Sequence, residues 1–503
     1  MISFIFLCFL IFFSSFVSSS ESESTFRVRL TSDGLRFFSN IGHRILNYEI
    51  WNIDFSSTEL IIEDGPGSGS VTLRNLKVEN FDSPVFTFKP VHPDGIAWKS
   101  KNGEIKLSGR WEVEYKVVFT FYFSGYMVIS LSDLRTLLRL GIFADQGKPQ
   151  FKIDQCQISI GSVDIQLSGG VIPWIVNLFH TKVSSFIKQQ IEDKLCGVMQ
   201  TSILYEANND LLSLPSRFQT FHNLFINYNY QQNLISKANY VEANVYIDVV
   251  FGNRSCNLPV KSVKLGVNGT KRMLHIWLSD HIANCLAKTA YDADELVLIV
   301  DKSFEGGKFK DYLRTSCAFW QVCIGRFLPQ LEKRYPNRSV LLHLYAKERP
   351  FIKTSHDGIR IRSTLLVDML IDDNAQSLSE SHHSISTNDS KFSHRMGLSR
   401  LAQLAVNATS VVIPTLLNDK ISGSISYTLI DIRELYSIIG HFDPEIVNFL
   451  NRLLASIIKY VGDAVLAKGF PLPILDNVTF TDDASIFTGR DFLRIDSDLV
   501  YHG

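Results

Sequence analysis

An internal repeat constrains the fold of this chain more than any other feature of its sequence. The segment PWIVNLF at 173–179 recurs as PEIVNFL at 444–450, and each opens an apolar stripe at helical spacing. Upstream, the Ser-Asp pairs at Ser32 and Ser279 are each suited to cap a short helix. The two pairs of motifs are offset by 271 and 247 residues. The chain is therefore predicted to hold two copies of one plan: a short helix, a run of strands and a long helix.

The long helices carry their apolar residues on single faces. The first stripe consists of Ile175, Val176, Phe179, Val183, Phe186, Ile187 and Ile191, and the second of Ile446, Phe449, Leu450, Leu453, Ile457 and Val461. Such stripes usually pack against a core.

Between the helices, apolar and polar residues alternate as they do in half-buried strands. The run RWEVEYKVVFTFYF at 110–123 predicts one long strand with Trp111, Val113, Tyr115, Val117, Phe119, Phe121 and Phe123 on one face. The runs at 152–160 and 161–167 predict a hairpin that turns at Gly161-Ser162. The runs at 340–346 and 358–371 predict the corresponding strands of the second copy.

About 480 residues remain after a leader, which is more than one hydrophobic core usually organises. We expect an N-terminal domain at 25–228, a linker or central sheet at 229–243, and a C-terminal domain at 244–503. The segment at 372–399, rich in Ser, His and Asp, is expected to be an exposed insert.

The start of the chain resembles a secretory leader. An apolar run at 2–13 precedes small residues, so a signal peptide is predicted at 1–20 and the mature protein is expected to be secreted and extracellular. Six cysteines follow the leader and none forms a CxxC pair, so disulfides are expected rather than zinc. Six sequons predict N-glycosylation of the second half, at Asn253, Asn268, Asn337, Asn388, Asn407 and Asn477.

Charge and motifs exclude several classes of function. A net charge of −1 argues against binding to nucleic acid. The sequence has no GxSxG, HExxH or GxxxxGK[ST] motif, so no catalytic residue, enzyme activity, metal or cofactor is predicted. The histidines His382, His383 and His394 are interpreted as part of a solvated loop rather than as metal ligands.

Several segments resemble a known lipid-binding family, that of bactericidal/permeability-increasing protein, lipopolysaccharide-binding protein, phospholipid transfer protein and cholesteryl ester transfer protein. VRLTSDGLRFFSNIG is similar to the first helix of the family, and IKLSGRW to the strand before the first barrel tip. IQLSGGVIPWIVNLFHTKVSSFI, FLPQLEKRYPN, KGFPLP and the closing DLVYHG resemble further segments of these proteins. The resemblance covers nearly the whole mature chain.

The resemblance implies an α+β fold of two pseudo-symmetric domains. Each would be an antiparallel twisted β-barrel with one long and one short helix, and a central sheet would join the two into an elongated boomerang. It also implies a disulfide between Cys156 and Cys196. The pairing of Cys256, Cys285, Cys317 and Cys323 stays open among three possibilities.

The resemblance further implies that each domain binds phospholipid acyl chains in an apolar pocket. The expected lining residues of the first pocket are Leu35, Phe38, Ile41, Ile45, Ile175, Phe179, Val183 and Ile187, and those of the second are Ile446, Phe449, Leu453 and Ile457. The expected partners are phospholipids or other amphipathic lipids, with transient contact to membranes or lipid particles, and the protein is expected to be a monomer.

An alternative function is recognition of lipopolysaccharide through its lipid A part. In the bactericidal member of the family, the loop after the SG-x-W motif is rich in Lys. Here that stretch is RWEVEYK, with Glu112 and Glu114 among its charges. Residues 26–228 contain 20 Lys or Arg and 20 Asp or Glu, so the domain lacks the positive field that attracts a polyanion. We therefore favour a lipid carrier.

Overall fold

The computed structural model describes most of the chain. The described residues are 24–63, 67–169, 177, 179–221, 223–230, 234–263, 271–372, 398–417, 419–475 and 477–502. The predicted signal peptide, the opening of the first long helix at 173–176 and residues 373–397 of the insert predicted at 372–399 lie outside these residues, while the ends of that predicted insert belong to strands.

The helices fall into the two predicted sets. The short helix of the first copy is α1 (Ser32–Glu49), and a 3-10 turn (Ile50–Asn52) follows it. The short helix of the second copy is α4 (Asp280–Asp292). A continuous helical segment runs from 179 to 213 and consists of a π turn (Phe179–Val183), α2 (Ser184–Val198), a second π turn (Met199–Ile203) and α3 (Leu204–Ser213). The C-terminal half contains α5 (Phe304–Gly307), α6 (Ile324–Phe327), α7 (Pro329–Arg334) and the long α8 (Pro444–Ala467). None of the helices among the described residues combines the length and apolarity needed to cross a bilayer.

Within the described residues, six strands form the sheet of the N-terminal unit. They are β2 (Thr58–Ile62), β3 (Ser68–Asp82), β4 (Val85–Val91), β5 (Gly95–Lys116), β6 (Thr120–Asp145) and β7 (Lys148–Gly169). The order is β2-β3-β5-β6-β7, with β4 paired to β5, and all pairs are antiparallel. The helical segment 179–213 packs on this sheet.

The C-terminal unit repeats this arrangement. Its sheet contains β14 (Val297–Val300), β15 (Val340–Ala346), β16 (Phe351–Ser355), β17 (Gly358–Asp372), β18 (Leu398–Leu417), β19 (Lys420–Ser437) and β20 (Phe470–Pro471). The branch strand β16 pairs with the long β17 just as β4 pairs with β5, and α8 packs on the sheet as the helical segment 179–213 does in the first unit. The strands predicted at 340–346 and 358–371 are confirmed.

A central sheet joins the two units. Its strands are β1 (Phe26–Thr31), β8 (Arg217–Phe221), β9 (Leu224–Tyr230), β10 (Ile235–Lys237), β11 (Tyr240–Phe251), β12 (Arg254–Ser255), β13 (Leu274–Ser279), β22 (Ser485–Gly489) and β23 (Phe492–Ser497). Next to it, β21 (Val478–Phe480) pairs with β24 (Leu499–Tyr501). Residues 229–243, predicted as a linker or central sheet, contribute to β9, β10 and β11. The predicted α+β class, with two related antiparallel units and a central sheet, is confirmed.

The cap predicted for the first helix is shifted by one residue. Ser279 caps α4 as predicted, since its hydroxyl accepts from the backbone N–H of His281. At α1, however, Thr31 is the cap and Ser32 is already helical. The residue at the cap position accepts from the first free N–H groups, and Thr31 does so with Gly34. The caps Thr31 and Ser279 place the two copies 248 residues apart rather than 247.

The prediction of one strand at 110–123 is wrong, because the chain reverses in the middle of this run. Residues 117–119 form the turn between β5 and β6, which we call the hairpin tip, and Lys116 pairs with Thr120. Trp111, Val113 and Tyr115 are buried, whereas Phe119 is 74% exposed. The alternation continues through both arms of the hairpin, so period two alone does not reveal the turn.

The hairpin predicted at Gly161-Ser162 is also wrong, since β7 runs without interruption through both residues. Gly161 lies opposite Asp133, which has a positive φ of 54°. A Cβ atom at Gly161 would lie 2.8 Å from the Cβ of Asp133. The glycine therefore makes room for a neighbouring strand and does not turn the chain.

Candidate lipid-binding site

The interior of the N-terminal unit lies between its sheet and the helical segment. Val183, Ile187, Ile191 and Leu195 follow one another at helical spacing, and each is at most 2% exposed. They belong to one cluster with side chains of β3, β5, β6 and β7, among them the fully buried Trp111. The long alternating strands supply one wall, and the helical stripe supplies the other.

A disulfide fixes the helix to this sheet. Cys156 on β7 is bonded to Cys196 on α2, with a Cα–Cα distance of 6.1 Å, as the family resemblance implied. Two further disulfides join Cys256 to Cys285 and Cys317 to Cys323, which resolves the pairing that the sequence left open.

The interior of the C-terminal unit is built in the same way. Asp443 caps α8 by accepting from the N–H groups of Glu445 and Ile446, and Pro444 occupies the first turn. The buried stripe of α8 packs with side chains of β15, β17, β18 and β19. It consists of Ile446, Phe449, Leu450, Leu453, Leu454 and Ile457. All four residues predicted for the second pocket therefore lie together in one cluster.

The residues predicted for the first pocket are not brought together. Val183 and Ile187 lie in the unit's interior, but Leu35 packs with Ile96 and Tyr230 in a separate cluster. Phe38 packs against the central sheet, while Ile41 and Ile45 are half-buried on α1. Ile175 and the side chain of Phe179 lie outside what the structure describes.

Partly open apolar side chains border both interiors. In the N-terminal unit, Phe81, Phe123, Leu167 and Phe186 pack against the buried cluster and keep part of their surface accessible. In the C-terminal unit, Phe327, Phe442, Tyr460 and Val461 do the same, and the ring of Phe327 stacks on Phe449 at 4.7 Å. A fully buried side chain has no surface left for a ligand, whereas these residues do. The apolar stripes in the sequence indicate the buried centre of each interior. They do not indicate most of the partly open side chains that border it.

Basic residues near the hairpin tip have acidic or aromatic neighbours. Arg74 lies 3.1 Å from the carboxylate of Glu112, and the guanidinium of Arg110 lies 5.2 Å from the centroid of the Tyr126 ring. The tip itself presents Val118 and Phe119, which are 77% and 74% exposed. This end of the N-terminal unit is apolar and nearly neutral.

A buried layer of charge lies on one face of the central sheet, apart from both interiors. Glu242 accepts two hydrogen bonds from Arg29, at 2.9 and 2.7 Å, and lies 3.4 Å from Arg27. Nδ1 of His275 donates to Asp496 at 2.6 Å. Burial opposes ionisation of Asp496, but the hydrogen bond from His275 and the charge of Arg494 hold its pKa below the ordinary value.

The described residues offer little to a metal ion. Across the ranges given above, no three His, Cys, Asp or Glu side chains are placed to hold one. The histidines of the predicted insert lie outside those ranges.

Four of the predicted N-glycosylation sites are exposed, namely Asn253, Asn337, Asn407 and Asn477. The other two, Asn268 and Asn388, lie outside the described residues.

Comparison with known proteins decides the family. The N-terminal domain of the LBP / BPI / CETP family matches residues 52–209, and its C-terminal domain matches residues 218–501. The chain belongs to the LBP / BPI / CETP family. The matches include both sheets of the two units and both long helical segments, and they leave out β1 and α1.

Family members from mammals and from a plant are similar to this chain over almost their whole length. Mouse lipopolysaccharide-binding protein is 23% identical over 486 residues, which cover 94% of this chain and 93% of the relative. Rat bactericidal permeability-increasing protein is 21% identical, with 96% and 94% covered. A putative BPI/LBP family protein of Arabidopsis thaliana is 24% identical, with 98% and 96% covered.

The fold of a solved member agrees with that of this chain. The crystal structure of lipopolysaccharide binding protein has a TM-score of 0.63, at 20% identity, and the match covers 95% of this chain and 99% of that one. The LBP / BPI / CETP fold is thus present despite extensive divergence in sequence.

Proposed function

We propose that this protein is a secreted carrier that takes up phospholipid-type acyl chains in the interiors of its two units and transfers them between membranes or lipid particles. The observation that carries the proposal is the pair of apolar interiors, each bordered by partly open side chains such as Phe123 and Phe186 in the first unit. Membership of the LBP / BPI / CETP family supports it.

Energetics favour an enclosed site over a surface contact. Moving a lipid with about 30 methylenes out of a membrane costs over 20 kcal/mol, at about 0.8 kcal/mol per CH₂, unless the protein buries the chains equally well. An interior between sheet and helix can supply that burial. Since membrane and protein interior then nearly balance, lipid can exchange in both directions, as transfer requires.

Export and the absence of chemistry are part of the proposal. Three disulfides are typical of an oxidising compartment, and they agree with the leader predicted at 1–20. We propose that binding is the whole activity and that no covalent step occurs on the lipid.

Recognition of lipopolysaccharide is the second candidate, because relatives of this chain are named for that ligand. The ion pair of Arg74 with Glu112, together with the acidic Glu114, disfavours it at the hairpin tip. A polyanionic glycolipid would need uncompensated cations there.

A vesicle transfer assay tests the proposal. Donor vesicles with self-quenched fluorescent phosphatidylcholine are mixed with unlabelled acceptors, and the protein is expected to speed dequenching. Phe186→Asp on the open edge of α2 should reduce the rate, whereas Gln189→Asp, which adds the same charge at an exposed position of that helix, should not. No acceleration by the wild-type protein, together with salt-sensitive binding to lipid A, would favour the second candidate.

A further inference from the structure

A compact connection, residues 301–339, lies at one end of the C-terminal unit. It joins β14 to β15 and contains α5, α6 and α7. It contacts the beginning of α8, where Phe327 stacks on Phe449, while Nη1 of Arg334 donates to the carbonyl of Ile438. The other end of α8 leads to β20, where the Pro471 carbonyl accepts from Tyr228 of the central sheet. A 24-residue helix is about 36 Å long, so α6 and α7 lie far from the central sheet, whereas α5 lies farther along α8, where Tyr460 donates to Glu305.

Within this connection, the disulfide Cys317–Cys323 closes a short loop, residues 317–323, which we call the aromatic loop. Hydrogen bonds fix its shape. The N–H of Gln321 donates to the carbonyl of Ala318 at 2.9 Å, and Oε1 of Gln321 accepts from the N–H of Ala318 at 3.2 Å. Arg326 donates to the carbonyls of Phe319 and Gln321. The loop is thus constrained by a covalent bond and by its own backbone contacts.

This constrained loop holds two aromatic side chains in solvent. Phe319 is 84% exposed and Trp320 is 83% exposed, whereas Cys323 and Ile324 at its base are fully buried. The ring closure and its hydrogen bonds restrict the backbone that carries these two side chains. Adjacent aromatic residues held out from a surface are typical of an interaction site, and Trp favours the boundary between water and lipid.

The charge around the loop selects the kind of partner. Residues 301–338 contain eight Lys or Arg and four Asp or Glu, an excess of four positive charges in a chain whose net charge is −1. Arg314 and Arg326 flank the loop, three residues before Cys317 and three after Cys323, and both are exposed. Arg314 lies 3.9 Å from Asp311, and the guanidinium of Arg326 lies 5.2 Å from the centroid of the Phe319 ring, so the excess of cations in the whole connection supplies the attraction rather than either arginine alone. Each basic residue near an anionic membrane contributes about 1 kcal/mol of attraction. Exposed aromatic residues on a segment with a net positive charge are the combination that an anionic bilayer binds.

We propose that the aromatic loop is a membrane-docking element for anionic phospholipid bilayers. Phe319 and Trp320 enter the interface between headgroups and acyl chains, while Arg314 and Arg326 lie near the lipid phosphates. The docking does not depend on the proposed carrier function, because it concerns the outer surface of the connection and neither apolar interior.

The test is flotation of the full-length secreted protein with vesicles of phosphatidylcholine and phosphatidylglycerol. Phe319→Ser with Trp320→Ser is expected to weaken binding at least about tenfold, since two aromatic contacts are removed. Tyr48→Ser with Trp51→Ser is the matched control, because it removes two exposed aromatic residues elsewhere and should bind like the wild type. Binding should also fall with added salt and on pure phosphatidylcholine. Equal binding by the loop variant and the wild type overturns the proposal.

Fluorescence locates the contact independently of affinity. Of the Trp residues that the structure describes, Trp98, Trp111 and Trp277 are buried, whereas Trp51 and Trp320 are exposed. Brominated phosphatidylcholine in the vesicles should therefore quench the wild type, and Trp320→Phe should lose most of this quenching while it retains binding. The control variant Trp51→Phe should keep the quenching. Quenching that survives Trp320→Phe assigns the contact to another surface and overturns the proposal.

Self-association and glycosylation give two further tests of the aromatic loop. If the wild type forms dimers without vesicles and the loop variant does not, the loop is a contact between copies and the membrane proposal is wrong. Asn337, a sequon residue, donates its N–H to Ser316 Oγ beside the loop. The glycosylated wild type should dock as Asn337→Gln does. If Asn337→Gln docks and the glycosylated wild type does not, the proposal is wrong for the natural protein.

Discussion

Val28 and Ile276 lie directly opposite each other in the antiparallel pair β1 and β13. They are 248 residues apart, as are the helix caps Thr31 and Ser279. Two hydrogen bonds beside them are also equivalent in the two copies. The N–H of Thr31 donates to the carbonyl of Met273, and the N–H of Ser279 donates to the carbonyl of Thr25, both at 2.9 Å. Equivalent residues that face each other in an antiparallel pair lie on a local twofold axis. The duplication is therefore expressed as pseudo-symmetry at the centre of the protein.

The charge layer beside this axis should be important for stability. Glu242→Gln is expected to cost about 2 kcal/mol, because Arg27 and Arg29 would keep buried charges without their carboxylate. Glu112→Gln, in an ion pair whose side chains are half exposed, should cost less than about 1 kcal/mol. Urea unfolding checks both values. Equal losses would show that burial of the pair contributes nothing.

Two of the three disulfides should differ in their contribution according to the loop that each one closes. Removing Cys156–Cys196, with a separation of 40 residues, is expected to lower the free energy of unfolding by about 4 kcal/mol. Removing Cys317–Cys323, with a separation of 6, should lower it by about 2 kcal/mol. Paired Cys→Ser variants measured by urea unfolding test this order, and a larger loss for the short loop would contradict it.

Two glycines should respond to alanine in opposite directions. Gly161→Ala is expected to destabilise the protein by about 1 kcal/mol, because the added Cβ meets Asp133 at 2.8 Å. Gly197→Ala, in α2, meets nothing within 4 Å and should stabilise the helix by about 0.5 kcal/mol. Thermal unfolding of both variants measures the signs. A stabilising Gly161→Ala would mean that β7 has room at this position.

Asp280 should make stability depend on pH. Burial and the nearby Asp491 carboxylate raise the pKa of Asp280 from 3.8 to about 6. The folded chain thus retains a proton that the unfolded chain has lost, so this contribution is fully present below pH 3.8 and disappears as pH rises through 6. At pH 7.5, Asp280→Asn is expected to stabilise by about 1 kcal/mol, after allowance for solvent screening.

The matched control for Asp280 is Asp33→Asn, which removes an exposed carboxylate from the first turn of α1. It should destabilise slightly at pH 7.5, because a carboxylate there interacts favourably with the helix dipole. Thermal melts between pH 3.5 and 8 measure both. An Asp280→Asn variant whose relative stability does not change with pH would contradict the raised pKa.

Local signals in the sequence predicted much of the fold. Ser279 as a cap and Pro444 at the start of α8 follow from contacts within a few residues. The turn at 117–119 has no local signal, because Val117, Val118 and Phe119 include no turn-forming residue. The role of Gly161 depends on Asp133 in a neighbouring strand, so the sequence around it does not indicate that role.

The candidate site was predictable only in part, because its arrangement also depends on residues that are distant in the sequence. Apolar periodicity identified Val183, Ile187 and the stripe of α8, which form the buried centres of the two units. It could not show that Leu35 packs in a separate cluster, or that Phe81 and Phe123 stay partly open. Those properties depend on which strands curl beneath the helices, and that is not encoded at short range.

Lipid content is the most direct test of the central claim that two related apolar interiors hold phospholipid. Protein purified without detergent is extracted with organic solvent, and the released lipid is quantified by mass spectrometry. We expect about two phospholipids per folded chain, one for each unit. A folded, monodisperse protein that releases no lipid, and acquires none after incubation with vesicles, would contradict this claim.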